Sequence, residues 1–255
     1  MTAAKLGVSV GVSESTVVRF ANELGFSGYP KLQKALQELI KNKLTTVQRL
    51  ELSNDYVSEG YALKGVLKAD MENIRATLEK INYNTFEEVV NKIFEAKRIY
   101  IIGLRSSTAL AEFLGFYLNI ILQNVKTVGY GISDIFEQMI NVEEGDLVIG
   151  IGFPRYASRT IDALAFAQDR GADVVAITDS LLSPLASKSD YALIAQSNMA
   201  SFVDSLVAPL SVINALIIAV GMREKQSITD TFNNLELIWN CLLYTSDAAD
   251  DLLCV

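Results

Sequence analysis

The chain contains no histidine, which removes every mechanism that needs imidazole as a base or metal ligand. Its two cysteines, Cys241 and Cys254, both fall at the far C-terminal end. Neither a disulfide framework nor a cysteine-based metal site is legible from that placement. No metal, cofactor or catalytic group is expected. Long apolar runs are missing too. The most apolar stretch, residues 206–222, is interrupted by Pro209, Ser211 and Asn214. It falls short of the roughly 20 apolar residues a membrane span needs and reads as a buried or interface helix. Met1 leads into a polar, amphipathic segment and not into a signal-peptide pattern, so the cytoplasm is the expected location. Positive charge is also in deficit. A net charge of −8 argues against a protein that coats nucleic acid with its whole surface.

What basic charge exists is concentrated. Residues 1–50 hold seven basic and three acidic groups, a net of +4, while the remainder holds fifteen and twenty-seven, a net of −12. A basic head on an acidic body points to a local polyanion contact. The head reads as short helices around turns. Ala3, Ala4 and Leu6 form a small apolar face, and Val10-Gly11-Val12 interrupts it. Ser13 fits a helix N-cap, followed by Val17, Phe20, Ala21 and Leu24 at helical spacing and by Gly25 as a stop. Pro30 opens a further helix with Leu32, Leu36, Leu39 and Ile40 on one face. Residues 45–63 lose periodicity and read as a linker between a head of residues 1–44 and a body of residues 64–240.

In the body, Leu67, Met71, Ile74, Leu78 and Ile81 follow the 4-3-4-3 spacing of an amphipathic helix. Phe86, Val89, Val90, Ile93 and Phe94 make another. Short β-rich apolar runs follow at 98–103, 146–152 and 173–178, with weaker ones near 125–128 and 191–195. Helices are expected at 106–123 and 158–170. Doubly buried strands alternating with helices mean a parallel sheet with crossover helices. Ligands bind such sheets beyond the carboxyl ends of the strands. That rule selects the loops at 103–107, 152–160 and 178–183.

The first loop, Gly103-Leu104-Arg105-Ser106-Ser107-Thr108, places hydroxyls at a helix start beside free backbone N–H groups, an arrangement that suits phosphate. Ordinary N-capping by Ser106 is the alternative. It is neither a Walker A loop nor a dinucleotide fingerprint. The second loop, Gly152-Phe153-Pro154-Arg155-Tyr156-Ala157-Ser158-Arg159-Thr160, brings two arginines and two hydroxyl residues after an apolar strand, and arginine's planar fork matches phosphate. A surface loop with solvated arginines is the alternative. Thr178-Asp179-Ser180 lines the same cleft or is a turn with a capping Asp. In the head, Ser13, Ser15, Thr16 and Arg19 stand where a recognition helix meets base edges, with Lys31 and Lys34 as phosphate contacts. A plain capped helix with solvated polar residues fits the same positions.

Residues 2–40 resemble the helix-turn-helix of the RpiR family of bacterial regulators. The pieces that match are Ala3-Ala4-Lys5-Leu6, Val12-Ser13-Glu14-Ser15-Thr16-Val17-Val18-Arg19-Phe20 and Leu24-Gly25-Phe26-Ser27-Gly28-Tyr29-Pro30. Residues 65–225 resemble the sugar isomerase (SIS) domain of the same family through Ile102-Gly103-Leu104-Arg105-Ser106-Ser107, Phe153-Pro154-Arg155-Tyr156, Arg159-Thr160, Ile177-Thr178-Asp179-Ser180 and Ser183-Pro184-Leu185. The resemblance implies an α/β fold, a five-stranded parallel sheet flanked by helices, preceded by a small all-α domain. It implies a DNA operator and a sugar-phosphate effector as partners, with a homodimer or homotetramer built through the SIS domain. It puts Ser106 and Ser107 on the phosphate or sugar, with Ser158 and Thr160 near them, and Arg155, Tyr156 and Arg159 in the ligand loop. Family members often carry serine where this chain has Gly152 and Ala157. The family's head has one more helix ahead of this point, and residues 241–255 read as a foreign tail. The competing function is a sugar-phosphate isomerase of the same fold, with Glu112 and Glu137 as its available carboxylates.

Overall fold

The computed structural model describes residues 1–33, 35–36, 47–48, 62–131, 133–199, 202–224, 229 and 231–238. Lys34, most of the expected linker and the tail at 241–255 lie outside them. Two compact units divide the chain, Met1–Glu59 and Gly60–Val255.

In the first unit, α1 (Ala3–Val10) and α2 (Glu14–Glu23) enclose a tight turn. Gly11 ends α1 in the left-handed region, with φ 73°. Thr2 and Ser13 cap the two helices through their side chains. Ala3, Val17, Ala21, Tyr29 and Leu32 form the small core. Phe20 and Leu24, expected on the apolar face of α2, are instead exposed at 59% and 52%. In a core this small, Val17 and Ala21 are the buried residues of α2, with Val18 packed at its edge.

The second unit runs α3 (Ala62–Lys80), α4 (Tyr83–Glu95), β1 (Ile99–Gly103), α5 (Thr108–Leu122), β2 (Val125–Val128), α6 (Ile135–Gln138), β3 (Leu147–Ile151), α7 (Ser158–Asp169), β4 (Asp173–Thr178), β5 (Tyr191–Ile194) and α8 (Val207–Arg223). The sheet has the order β2-β1-β3-β4-β5, and every pair is parallel. The expected five-stranded parallel sheet is therefore present. Successive strand residues face opposite sides. Ile99, Ile101, Ile149 and Val175 pack under α4, α5 and α8, while Tyr100, Ile102, Val148 and Val174 pack under α6 and α7. Arg98 ties the amino ends of β1 and β3 together. Its Nε and Nη2 donate to the two oxygens of buried Asp146 at 3.0 and 2.8 Å. Such a bidentate pair fixes geometry as well as energy.

The expected amphipathic helix is present, with part of its apolar stripe uncovered. The 4-3-4-3 residues do form α3, but Leu67, Met71 and Leu78 stand 54–66% exposed. The buried positions of α3 are Asn73 and Thr77. The cause is the chain beyond β5, whose backbone groups need partners once buried. Asn73 Nδ2 donates to the Asn198 carbonyl (2.8 Å), the Asn198 N–H donates back to Asn73 Oδ1 (3.1 Å), and the Gln196 N–H donates to Thr77 Oγ1 (2.8 Å).

Candidate functional site

At the carboxyl end of β1 the chain turns sharply. A Cβ on Gly103 would lie 2.6 Å from the Ser107 carbonyl oxygen and 3.1 Å from Ala111 Cβ, so only glycine allows so close a return. Thr108 Oγ1 donates to the Gly103 carbonyl at 3.0 Å and holds the turn from inside. Arg105 lies in the left-handed region with φ 60°, and residues 105–107 form a single 3₁₀ turn before α5. Ser107 stands at the N-cap of α5, yet its side chain makes no capping bond. The Ser107 and Thr108 N–H groups donate to the Leu104 and Arg105 carbonyls. The 3₁₀ turn thus presents the first N–H groups of this helical segment, which have no partner further back in the helix and carry the positive character of its macrodipole.

The end of β3 repeats the plan. Arg155 is left-handed with φ 67°, and α7 starts after Ala157, which offers no cap. A pocket of about 140 Å³ opens between the two loops. Leu104, Arg105, Ser106 and Ser107 line it on one side, and residues 151–155 with Ala157 and Thr160 on the other. Asp204, from the segment leading into α8, completes the wall. Two helix N-termini thus meet one cavity, an arrangement suited to an anion. Thr160 is 1% exposed, and its Oγ1 has no hydrogen-bond partner among the described residues. Buried hydroxyls are rarely left so, and a ligand oxygen is the natural complement.

Of the expected ligand residues, the structure brings Ser106, Ser107, Arg155 and Thr160 to this pocket. It does not bring Tyr156, Ser158 or Arg159 to its wall. The Tyr156 hydroxyl donates to Asp179 Oδ1 at 2.7 Å. Burial, and then the adjacent carboxylate, push its phenol far above the ordinary tyrosine range. Arg159 pairs with Asp134 and lies 5.5 Å from the centre of the Phe136 ring. Ser158 is exposed at the start of α7. Asp179 also accepts from Thr178 Oγ1 (3.3 Å), while Ser180 Oγ accepts from the Leu182 N–H, so this third loop is a turn held by its own side chains. Glu112 is exposed on α5, and Glu137 closes a capping box with Asp134 at the start of α6. Neither of these carboxylates lines the pocket. Asp204 was not among the residues the sequence nominates. It lies about a hundred positions from Ser106 in a polar stretch that matches no motif.

In the first unit, Ser13 Oγ accepts from the Thr16 N–H and lies 2.8 Å from the hydroxyls of both Ser15 and Thr16. All three residues are exposed at the start of α2, and Arg19 further along α2 and Lys31 after Pro30 are exposed too.

Residues 1–43 match the family model of the helix-turn-helix domain of the rpiR family, and residues 92–219 match that of the SIS domain. The chain belongs to the RpiR family. An HTH-type transcriptional regulator of Haemophilus influenzae is 29% identical over 188 residues, covering 72% of this chain and 64% of the relative, so the chain spans under two thirds of that protein's length. Among solved structures, the sugar isomerase domain of the Sphaerobacter thermophilus RpiR transcription factor superposes with a TM-score of 0.67 at 29% identity, over 69% of this chain and 99% of that one. Vibrio vulnificus NanR, solved with ManNAc-6P, shares the fold with a TM-score of 0.61 at 20% identity, over 95% of this chain and 86% of that one. The pocket of this RpiR-family chain lies between its SIS-domain loops. The exposed hydroxyls of α2 lie in its helix-turn-helix.

Proposed function

We propose that the chain is a cytoplasmic DNA-binding transcription regulator of carbohydrate metabolism whose SIS domain binds a phosphorylated sugar and does no chemistry on it. The observation that carries this reading is the pocket at two uncapped helix starts, with the unpartnered Thr160 hydroxyl inside it. Ser106, Ser107, Arg155 and Thr160 hold the phosphate end. The head supplies Ser15, Thr16 and Arg19 to the major groove and Lys31 to the backbone, while Ser13 caps the helix that presents them. NanR, a neighbour in fold, was solved with ManNAc-6P, which supports a ligand of this class. Absence of catalysis is supported by the chain's lack of histidine and by the engagement of Glu137 in its capping box. The exposed apolar stripe of α3 supports a homodimer, because soluble monomers seldom leave such a stripe bare. No helix among the described residues is long and apolar enough to cross a membrane.

The test is thermal unfolding of the chain against neutral sugar phosphates, free sugars and inorganic phosphate. A ligand at 100 times its Kd adds about 2.7 kcal/mol of stability. A shift with phosphorylated sugars only, no conversion of the sugar on prolonged incubation, and salt-sensitive retention of operator DNA that Arg19→Ala abolishes would bear the reading out. Turnover of the bound sugar would establish the isomerase instead.

A further inference from the structure

Asp204 supplies a carboxylate to the pocket lining, opposite in charge to Arg105 and Arg155, which line the two sides of the same cavity. No hydrogen bond or ion pair among the described residues engages it. It is half-buried, between exposed Val203 and half-buried Ser205, whose hydroxyl is fastened to Asp70 Oδ1 on α3 at 2.6 Å. The ordinary role for an acid just ahead of a helix is capping. Here the N-cap of α8 is Leu206, which receives no side-chain bond, so Asp204 does not serve as a cap. An unpaired carboxylate repels a phosphate dianion, and it accepts hydrogen bonds through two oxygens. It therefore belongs to the end of the ligand remote from the phosphate.

We infer that Asp204 is the specificity-determining residue of the pocket, accepting hydrogen bonds from sugar hydroxyls or an amino group and excluding phosphorylated sugars that carry a carboxylate of their own. The inference rests on the phosphosugar reading above and narrows it. The effector class becomes neutral or amino sugar phosphates, and phosphorylated sugar acids are rejected. A carboxylate brought against Asp204 would add like-charge repulsion, and its oxygens have no proton to donate. A hydroxyl or ammonium donates to a charged acceptor, the stronger kind of hydrogen bond.

The experiment is calorimetric titration of the full chain with matched pairs: several neutral hexose and pentose phosphates, each beside its aldonic acid phosphate, with inorganic phosphate as reference. The proteins are wild type, Asp204→Asn, Asp204→Glu and Ser205→Ala. Wild type is expected to prefer the best neutral member over its acid partner by about 10- to 100-fold, the range of one charge-assisted hydrogen bond gained or lost. Asp204→Asn should collapse that ratio at least tenfold, chiefly by admitting the acid, and should leave affinity for inorganic phosphate within about threefold. Asp204→Glu should keep the sign of the preference, and so should Ser205→Ala, which loosens the segment but leaves the charge. Loss of packing alone would weaken both members of a pair together and leave the ratio in place. Equal binding of acid and neutral partners by wild type, or an unchanged ratio in Asp204→Asn, would overturn this inference and leave the phosphosugar site standing. No binding of any phosphate compound by folded protein would overturn the site itself, and the inference with it.

Discussion

The loops after β1 and β3 share a plan and differ in what their polar side chains meet. Each leaves a buried strand, passes an arginine held in the left-handed region and enters a helix whose start has no side-chain cap. In the first loop, Ser106 and Ser107 line the pocket, and the Ser107 side chain makes no capping bond. In the second, Asp179 takes the Tyr156 hydroxyl and Asp134 takes Arg159, so that only Arg155 and Thr160 remain with the pocket. Residue types in a loop nominate ligands for phosphate. Carboxylates arriving from other elements decide which nominees stay available.

The sharpest way to break this comparison is at the two strand-end glycines. Gly103→Ala would drive a methyl into the backbone of its own turn, 2.6 Å from the Ser107 carbonyl oxygen. Overpacking of this kind costs about 1–3 kcal/mol. Gly152→Ala would meet Leu185 Cδ2 at 2.7 Å, the movable end of a side chain, and the expected cost is under about 1 kcal/mol. Urea unfolding of both variants measures the difference. Equal losses would mean that the first turn yields as readily as a leucine rotamer.

Next in size is the ligand response of matched serines. Ser107→Ala is expected to weaken the phosphosugar about tenfold, the value of one hydrogen bond to a charged group. Ser158→Ala, on the exposed start of α7, should leave affinity unchanged within error. Titration of both variants reads this directly, and a Ser158 effect equal to that of Ser107 would place the phosphate across both helix starts.

These contrasts show what the sequence could reveal. The strands were legible because runs such as residues 147–151 are buried on both faces and carry the β-rich signature throughout. The place of Ser106 and Ser107 at the pocket was legible because a glycine turn at a strand end feeds them into a helix start. The direction of α3 was not. Periodicity marks a stripe but says nothing of what covers it, and the partners of Asn73 and Thr77 lie about 120 positions away in sequence. The fates of Tyr156 and Arg159 were hidden for the same reason, since Asp179 and Asp134 reach them only through the fold. Asp204 carried no local signal at all.

Tyr156→Phe tests whether the second loop's hydroxyl is structural. Loss of the bond to Asp179 is expected to cost about 1–1.5 kcal/mol near neutral pH, with little change in ligand affinity. The pH dependence has a fixed sign. The folded state raises the pKa of Tyr156, so its contribution is complete below the unfolded value of about 10 and drains away as pH rises above it. Wild type and variant should therefore converge in stability on going from pH 9 to about pH 11. A gap that stays constant would mean that the phenol's ionisation is not coupled to folding.

Arg159→Ala is expected to do least, and for that reason it separates the two loops most cleanly. Both members of its ion pair with Asp134 are over 40% exposed, and such pairs contribute about 0.2–1 kcal/mol. The stacking of the guanidinium on Phe136 adds a little more. Asp134 keeps its cap of α6 through the Phe136 N–H, so the short helix survives the change. Phosphosugar affinity should therefore move less than threefold. An arginine that bound phosphate in its planar fork would cost far more on removal, since that contact is bidentate and charge-assisted. A tenfold or greater loss in Arg159→Ala would show that ligand draws the side chain away from Asp134. The second loop would then close on its ligand, where the first stands ready before the ligand arrives.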